Sequence, residues 1–275
     1  MLYGAIAGDI AGSTYEFTGM PSADAELFPE GSTWTDDTVL TLAIASALSA
    51  DAYFQHTLFV YASEYRHPMG GYGLGFSDWL DAGLNAPAYN SYGNGSAMRV
   101  SPCGYVARTL EEAIIFARKS AEVTHNHPEG IKGAEAAAAC IFLARTGKTK
   151  EEIRQYIHEN YYDMSRTYED LRRAPYEFHA TCQDTVPEAI ICFLDSKDYE
   201  SAIRMAMLTN KDTDTAAAIT GAIAGAYYGV PEYIKAKVRD TLPEELLGIL
   251  DEFECKVRSG QRFYCDWPQY EKPKH

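Results

Sequence analysis

The sequence has no apolar stretch long enough to cross a bilayer, because its hydrophobic runs are short or interrupted. No membrane-spanning helix is expected. The opening segment MLYGAIAGDIAG lacks a basic start and a strongly hydrophobic centre, so no signal peptide is read and a cytoplasmic location is expected. No C-x-x-C pair occurs among the six cysteines, Cys103, Cys140, Cys182, Cys192, Cys255 and Cys265. They lie far apart and mostly inside apolar runs, as small buried hydrophobes do in a reducing compartment. Neither structural zinc nor disulfides are expected. Basic charge is scarce as well: 24 lysines and arginines face 39 aspartates and glutamates, for a formal charge of −15. Such a field repels phosphate backbones and anionic lipid, so neither nucleic acid nor a membrane surface is an expected partner. No proline-rich, glycine-serine or charged linker divides the 275 residues, and one domain, 1–275, is expected.

Alternating β patterns bounded by turns are nearly absent, whereas helical spacing recurs along the chain. The fold class is therefore all-α, a single compact multi-helix domain. Four S/T-x-x-E boxes predict helix starts: Thr109 with Glu112, Thr149 with Glu152, Thr185 with Glu188 and Thr241 with Glu244. Further helices are expected over 38–50, 57–65, 95–108, 130–145, 199–208, 215–228 and 244–258. Two near repeats, GAIAGD at residues 4–9 and GAIAGA at 221–226, carry small-residue faces that let helix backbones approach closely. They are expected at the centre of the domain.

Acidic residues cluster where two of these helices begin. Thr35, Asp36 and Asp37 precede an apolar helix, and Asp212, Asp214 and Thr215 open the alanine- and glycine-rich one. Helix capping explains an acid at such a position through the dipole, but a cap needs one acid. If both helices pack in the core, four carboxylates meet at partly buried ends, with Lys211 the nearby cation in either cluster. One ammonium does not balance four carboxylates. Two hard divalent ions do, and an oxygen-only ligand set of Asp and Thr suits Mg²⁺ or Mn²⁺. Two glycine-rich turns, GYGLG at 71–75 and SYGNGSAMR at 91–99, leave backbone N–H groups accessible to an anionic ligand, although ordinary turns look the same. His125 and His127 lie between two helices without a third ligand at zinc spacing.

In their order along the chain, GAIAGDIAGSTYEF, TDDTVLTLA, GYGLG, SYGNGSAMRVSP, THNHPEGIKGAEA and KDTDTAAAITGAIAGAYYG resemble the ADP-ribosylglycohydrolase family, over residues 3–229. The resemblance implies an all-α fold around two Mg²⁺ or Mn²⁺ ions and hydrolysis of the bond between the distal ribose of ADP-ribose and an acceptor. It implies metal ligation by Thr35, Asp36, Asp37, Asp212, Asp214 and Thr215, with Glu16 beside the metals and Glu16 and Asp36 as catalytic candidates. It further implies that Gly73, Ser91, Tyr92, Gly93, Asn94, Gly95 and His125 bind the substrate. An aromatic that stacks on adenine is expected, with Tyr89 and Phe76 as candidates. The implied partner is an ADP-ribosylated protein or a small ADP-ribose conjugate, handled by a monomer. Where the family reads G-G before D-T-D-T, this chain has Asn210 and Lys211, which is expected to add bulk and positive charge beside the metals. Two other functions fit the same residues: a non-enzymatic, crystallin-like or ADP-ribose-binding protein, and a metal-dependent nucleotide phosphohydrolase.

Overall fold

The computed structural model describes residues 1–264, and Cys265 lies outside them. In chain order the helices are α1 Tyr3–Gly12, α2 Tyr15–Thr18, α3 Asp36–Ala50, α4 Phe54–Glu64, α5 Leu74–Ala82, α6 Gly95–Met98, α7 Ser101–Val106, α8 Leu110–Glu122, α9 Pro128–Arg145, α10 Lys150–Asn160, α11 Tyr168–Arg173, α12 Cys182–Asp195, α13 Tyr199–Met207, α14 Thr213–Tyr228, α15 Glu232–Thr241 and α16 Glu244–Arg258. Among the described residues no strand forms beyond two isolated bridges, Thr35 with Met69 and Gly93 with Thr181. The all-α expectation holds. Among the described residues no helix is long and apolar enough to cross a membrane.

Helix composition decides helix position. α1 and α14, rich in alanine, glycine and isoleucine, have no broad polar face to present to water and lie buried for nearly their whole lengths. α10, α15 and α16 are amphipathic and bury only one stripe. Glycines at positions 4, 8 and 12 fall on one face of α1, because every fourth residue returns to the same side of a helix. A Cβ added at Gly4 would meet the Gly221 carbonyl oxygen at 2.4 Å, one at Gly8 the Ala217 carbonyl oxygen at 2.0 Å, and one at Gly12 the Asp214 nitrogen at 2.4 Å. The partner positions fall as those on α1 rise, so the two helices run antiparallel with their backbones touching. The C-terminal end of α1 therefore abuts the N-terminal end of α14, where Thr213 Oγ1 donates to the Gly12 carbonyl at 2.7 Å.

Several local expectations are corrected. Thr149 and Glu152 form both halves of their capping box, and Thr109 accepts from Glu112 N. Thr185 caps nothing: α12 starts three residues earlier, after Thr181, leaving Thr185 buried inside the helix. Thr241 ends α15 and donates to the Lys237 carbonyl, so α16 opens after Pro243 instead. The single helix expected over 95–108 divides into α6 and α7, with Arg99 and Val100 between them. Pro102 stands in the first turn of α7, where its missing N–H costs no hydrogen bond. Cys103, Cys140, Cys182 and Cys192 are buried as expected, but Cys255 is exposed on α16.

Candidate metal centre

α3 begins at Thr35, whose buried hydroxyl caps the helix by accepting from Asp37 N at 3.2 Å. That bond makes the threonine the side-chain cap, so neither Asp36 nor Asp37 is needed to cap the helix. The turn is fixed from below by Asp9, a buried acid of α1. Its Oδ2 accepts from Thr35 N at 3.0 Å, from Thr38 N at 3.1 Å and from the Thr38 hydroxyl. Three donors converge on one carboxylate oxygen, so Asp9 orients the first turn of α3, a role that its position inside a small-residue helix did not disclose.

α14 mirrors this arrangement. Asp212 stands at the N-cap position but makes no side-chain cap. Its Oδ2 instead accepts from Asn94 Nδ2 at 2.7 Å, and Asn94 Nδ2 also donates to Thr185 Oγ1 at 3.1 Å. The two acidic clusters meet where Thr215 Oγ1 donates to Asp37 Oδ2 at 3.1 Å, 178 residues apart in sequence. Carboxylate oxygens of Glu16, Asp212 and Asp214 come within 4.8 Å of one another. Glu16, on α2, is half-buried, while Thr35, Asp37, Asp212, Asp214 and Thr215 are buried.

The electrostatics of this group are unfavourable on their own. Burial, and next the charge of Asp214, push the carboxyls of Asp9 and Glu16 up to about 7 and those of Asp36, Asp37 and Asp212 well above the carboxylate range. Burial raises Asp214 too. Among the described residues no lysine or arginine forms an ion pair with any of them. Lys211 is exposed, with its ammonium over the Tyr176 ring, 5.8 Å from the centroid. The expected positive charge beside the acids is therefore corrected. Asn210 does something different again: it is wholly buried, its Oδ1 accepts from Asp212 N and His179 N, and its Nδ2 donates to the His179 carbonyl. It fastens the 177–181 loop to the start of α14.

Asp37 Oδ1 is buried with no hydrogen-bond partner. An orphaned carboxylate oxygen amid other acids, all with oxygen donors, fits a hard divalent cation. Such a site should make metal-free protein sensitive to alkali. A carboxyl whose folded pKa is raised stabilises the fold below its unfolded pKa, about 4, and loses that contribution as pH rises through the folded value. Chelated protein is thus expected to melt at lower temperature at pH 8 than at pH 5, with Mg²⁺ restoring the loss at pH 8. Melting curves in EDTA that do not move between these pH values, or that ignore Mg²⁺, would count against the site.

The acids close one end of a cleft of about 340 Å³. Gly73, Ser91, Gly93, Asn94, Gly95 and His125 line it. Ser91 Oγ accepts from Gly93 N at 3.1 Å and holds the turn, and the Asn94 side chain is committed to Asp212. Tyr92 is different: its half-exposed ring rests against His127, 5.2 Å between centroids, and does not line the cleft. His127 itself caps α9 by accepting from Glu129 N. Of the two aromatic candidates, both reach the wall, but Phe76 is buried in a stack between Tyr72 and Trp79, while Tyr89 packs on His125. Phe178, 55% exposed, is a further aromatic on the wall. It sits in a loop that carries neither periodicity nor motif, and sequence reasoning had no signal for it.

Asn94 links the glycine-rich turn to Asp212, so removing its amide should release that carboxylate. Asn94→Ala is expected to lower metal affinity or turnover roughly 10- to 100-fold, the usual cost of losing an outer-shell partner. Metal titration read by melting temperature checks this.

This helical domain closes one end of its cleft with a cluster of buried and half-buried acids. A sequence model of the ADP-ribosylglycohydrolase family matches residues 1–261, and the chain belongs to that family of enzymes. Human ADP-ribosylhydrolase ARH3 is 28% identical, over 84% of this chain and 85% of its own. The ADP-ribosylarginine hydrolase Tri1 of Pseudomonas putida is 26% identical, over 85% of this chain and 72% of its own. A solved structure titled ADP-ribosylglycohydrolase-related protein complex superposes with a TM-score of 0.71 at 23% identity, over 93% of this chain and 96% of that one, a likeness of fold.

Proposed function

We propose that this enzyme hydrolyses the bond between the distal ribose of ADP-ribose and an acceptor, using two Mg²⁺ or Mn²⁺ ions held by Thr35, Asp36, Asp37, Asp212, Asp214 and Thr215. The observation that carries this reading is the Thr215 to Asp37 bond, which joins both acidic clusters at the end of the cleft. Those residues would hold the ions, whose chemistry there would be Lewis-acid polarisation and the activation of water.

The chain's own groups do the rest. Glu16 and Asp36 are less deeply buried than Asp37 and face the same cleft, which suits them to orient water and to move a proton between it and the departing acceptor. Charge developing at the anomeric carbon is stabilised by the surrounding carboxylates. The 91–95 turn and Gly73 offer backbone to the pyrophosphate, so binding energy far from the reacting bond fixes its position.

Incubating the protein and Mg²⁺ with ADP-ribosylated arginine, ADP-ribosylated serine and an acetyl ester of ADP-ribose tests the reading. Release of intact ADP-ribose from one of them is expected. Release of AMP or phosphate would replace this function with phosphohydrolysis.

A further inference from the structure

Arg99 is wholly buried between α6 and α7, and among the described residues it forms no ion pair. Its Nη2 donates to the Ser120 carbonyl at 2.9 Å and to Thr124 Oγ1 at 2.8 Å, while Nε and Nη1 have no partner. Burial lowers its pKa to about 10, which leaves it charged at neutral pH. A buried cation without a counter-ion is costly, and this one stands in the cleft wall. It has no place in the metal chemistry.

Its neighbours show a use for it. Thr124, also wholly buried, lies 2.7 Å from His125 Nδ1 through the same Oγ1. A guanidinium only donates, so Oγ1 accepts from Arg99, and the hydroxyl's single hydrogen still needs an acceptor. Nδ1 of His125 is the acceptor within reach. The opposite assignment, with Nδ1 donating, would strand the hydroxyl hydrogen in the interior. The proton of the neutral ring then belongs on Nε2, and burial with the nearby Arg99 charge keeps the ring neutral. Nε2 faces the glycine-rich turn, where Cβ atoms at Gly95 and Gly93 would lie 3.1 and 3.6 Å away. No protein group among the described residues accepts from it.

We propose that Arg99 and Thr124 are positioning residues that lock His125 with its proton on Nε2, so that the ring donates to an anionic oxygen of a ligand lying on the 93–95 turn. The chain of donors runs one way, from the guanidinium through the hydroxyl to the ring and into the cleft. It gives the wall that adjoins the acids through Asn94 the donors and positive charge that a diphosphate needs. The ligand half rests on the proposed function; the lock does not.

Nitrogen-15 NMR of histidine-labelled, ligand-free protein reads the proton directly. His125 is expected to show a protonated Nε2 and an unprotonated Nδ1, and a proton on Nδ1 would overturn the lock. Thr124→Val removes the relay at nearly constant shape. It is expected to mix the two ring forms and raise KM about tenfold with kcat within about twofold, the worth of one hydrogen bond to a charged group. Thr124→Ser should restore both readings. An unchanged KM in Thr124→Val, or no rescue by serine, would overturn the ligand contact. Should the wild type release no ADP-ribose from any acceptor, the proposed function fails while the spectrum still decides the lock.

Discussion

Asp214→Ala is expected to lower turnover on an ADP-ribosylated acceptor by on the order of 10³-fold in saturating Mg²⁺, since several kcal/mol of metal-borne charge stabilisation is lost with a ligand. The same substitution should raise the melting temperature of chelated protein at pH 8. After burial, the charge of Asp214 is the largest influence raising the carboxyls of Asp9, Glu16, Asp36, Asp37 and Asp212, so removing it relieves repulsion at five neighbours. A helix-capping role predicts the reverse pair of results: stability falls by about 1 kcal/mol and turnover survives. The two measurements together therefore separate a ligand from a cap. An alanine variant with wild-type turnover would remove Asp214 from the centre.

The second large effect concerns the fold beneath the site. In an ordinary exposed helix, glycine to alanine gains up to about 1 kcal/mol, because glycine loses more backbone freedom on folding. At Gly8 the added methyl would stand 2.0 Å from the Ala217 carbonyl oxygen, backbone against backbone, with no flexible side chain to yield. Overlap outweighs propensity there. Gly8→Ala is expected to cost about 3 kcal/mol, a fall of roughly 6–12 °C in melting temperature. Gly248, exposed in α16 with nothing within 4 Å of an added Cβ, is the control, and its alanine variant should melt at or above wild type. Equal melting of Gly8→Ala and wild type would mean that α1 and α14 do not touch as described.

What the sequence disclosed and what it hid divide along one line. Features fixed by local chemistry could be read: the small-residue faces of α1 and α14, the Thr149 box, and the two acidic starts, whose residue types require a common counter-charge. Helix boundaries and features fixed by distant partners could not. Thr185 and Thr241 satisfy a local capping pattern yet serve other bonds, because α12 begins at Cys182 and α15 runs on to Thr241. α6 and α7 separate at Arg99, whose partners, Ser120 and Thr124, belong to the next helix and its end. Asp9 orients Thr35 and Thr38 from a helix that looked purely structural, and Phe178 reaches the cleft because Asn210 fastens its loop. For Arg99, Asp9 and Asn210 the deciding contact spans a sequence separation that no motif encodes, whereas Thr241 bonds only four residues back, to Lys237.

The antiparallel pairing of the first long helix with α14 also sets an order of events at the ribosome. Thr213 reaches back 201 residues to Gly12, so the nascent chain carries a glycine-faced segment with nothing to lie against until most of the polypeptide has been made. The acidic turn that emerges first waits for the one that emerges last, and any product of early termination before α14 is left without half of the acidic cluster and without the helix that covers the glycine face of α1.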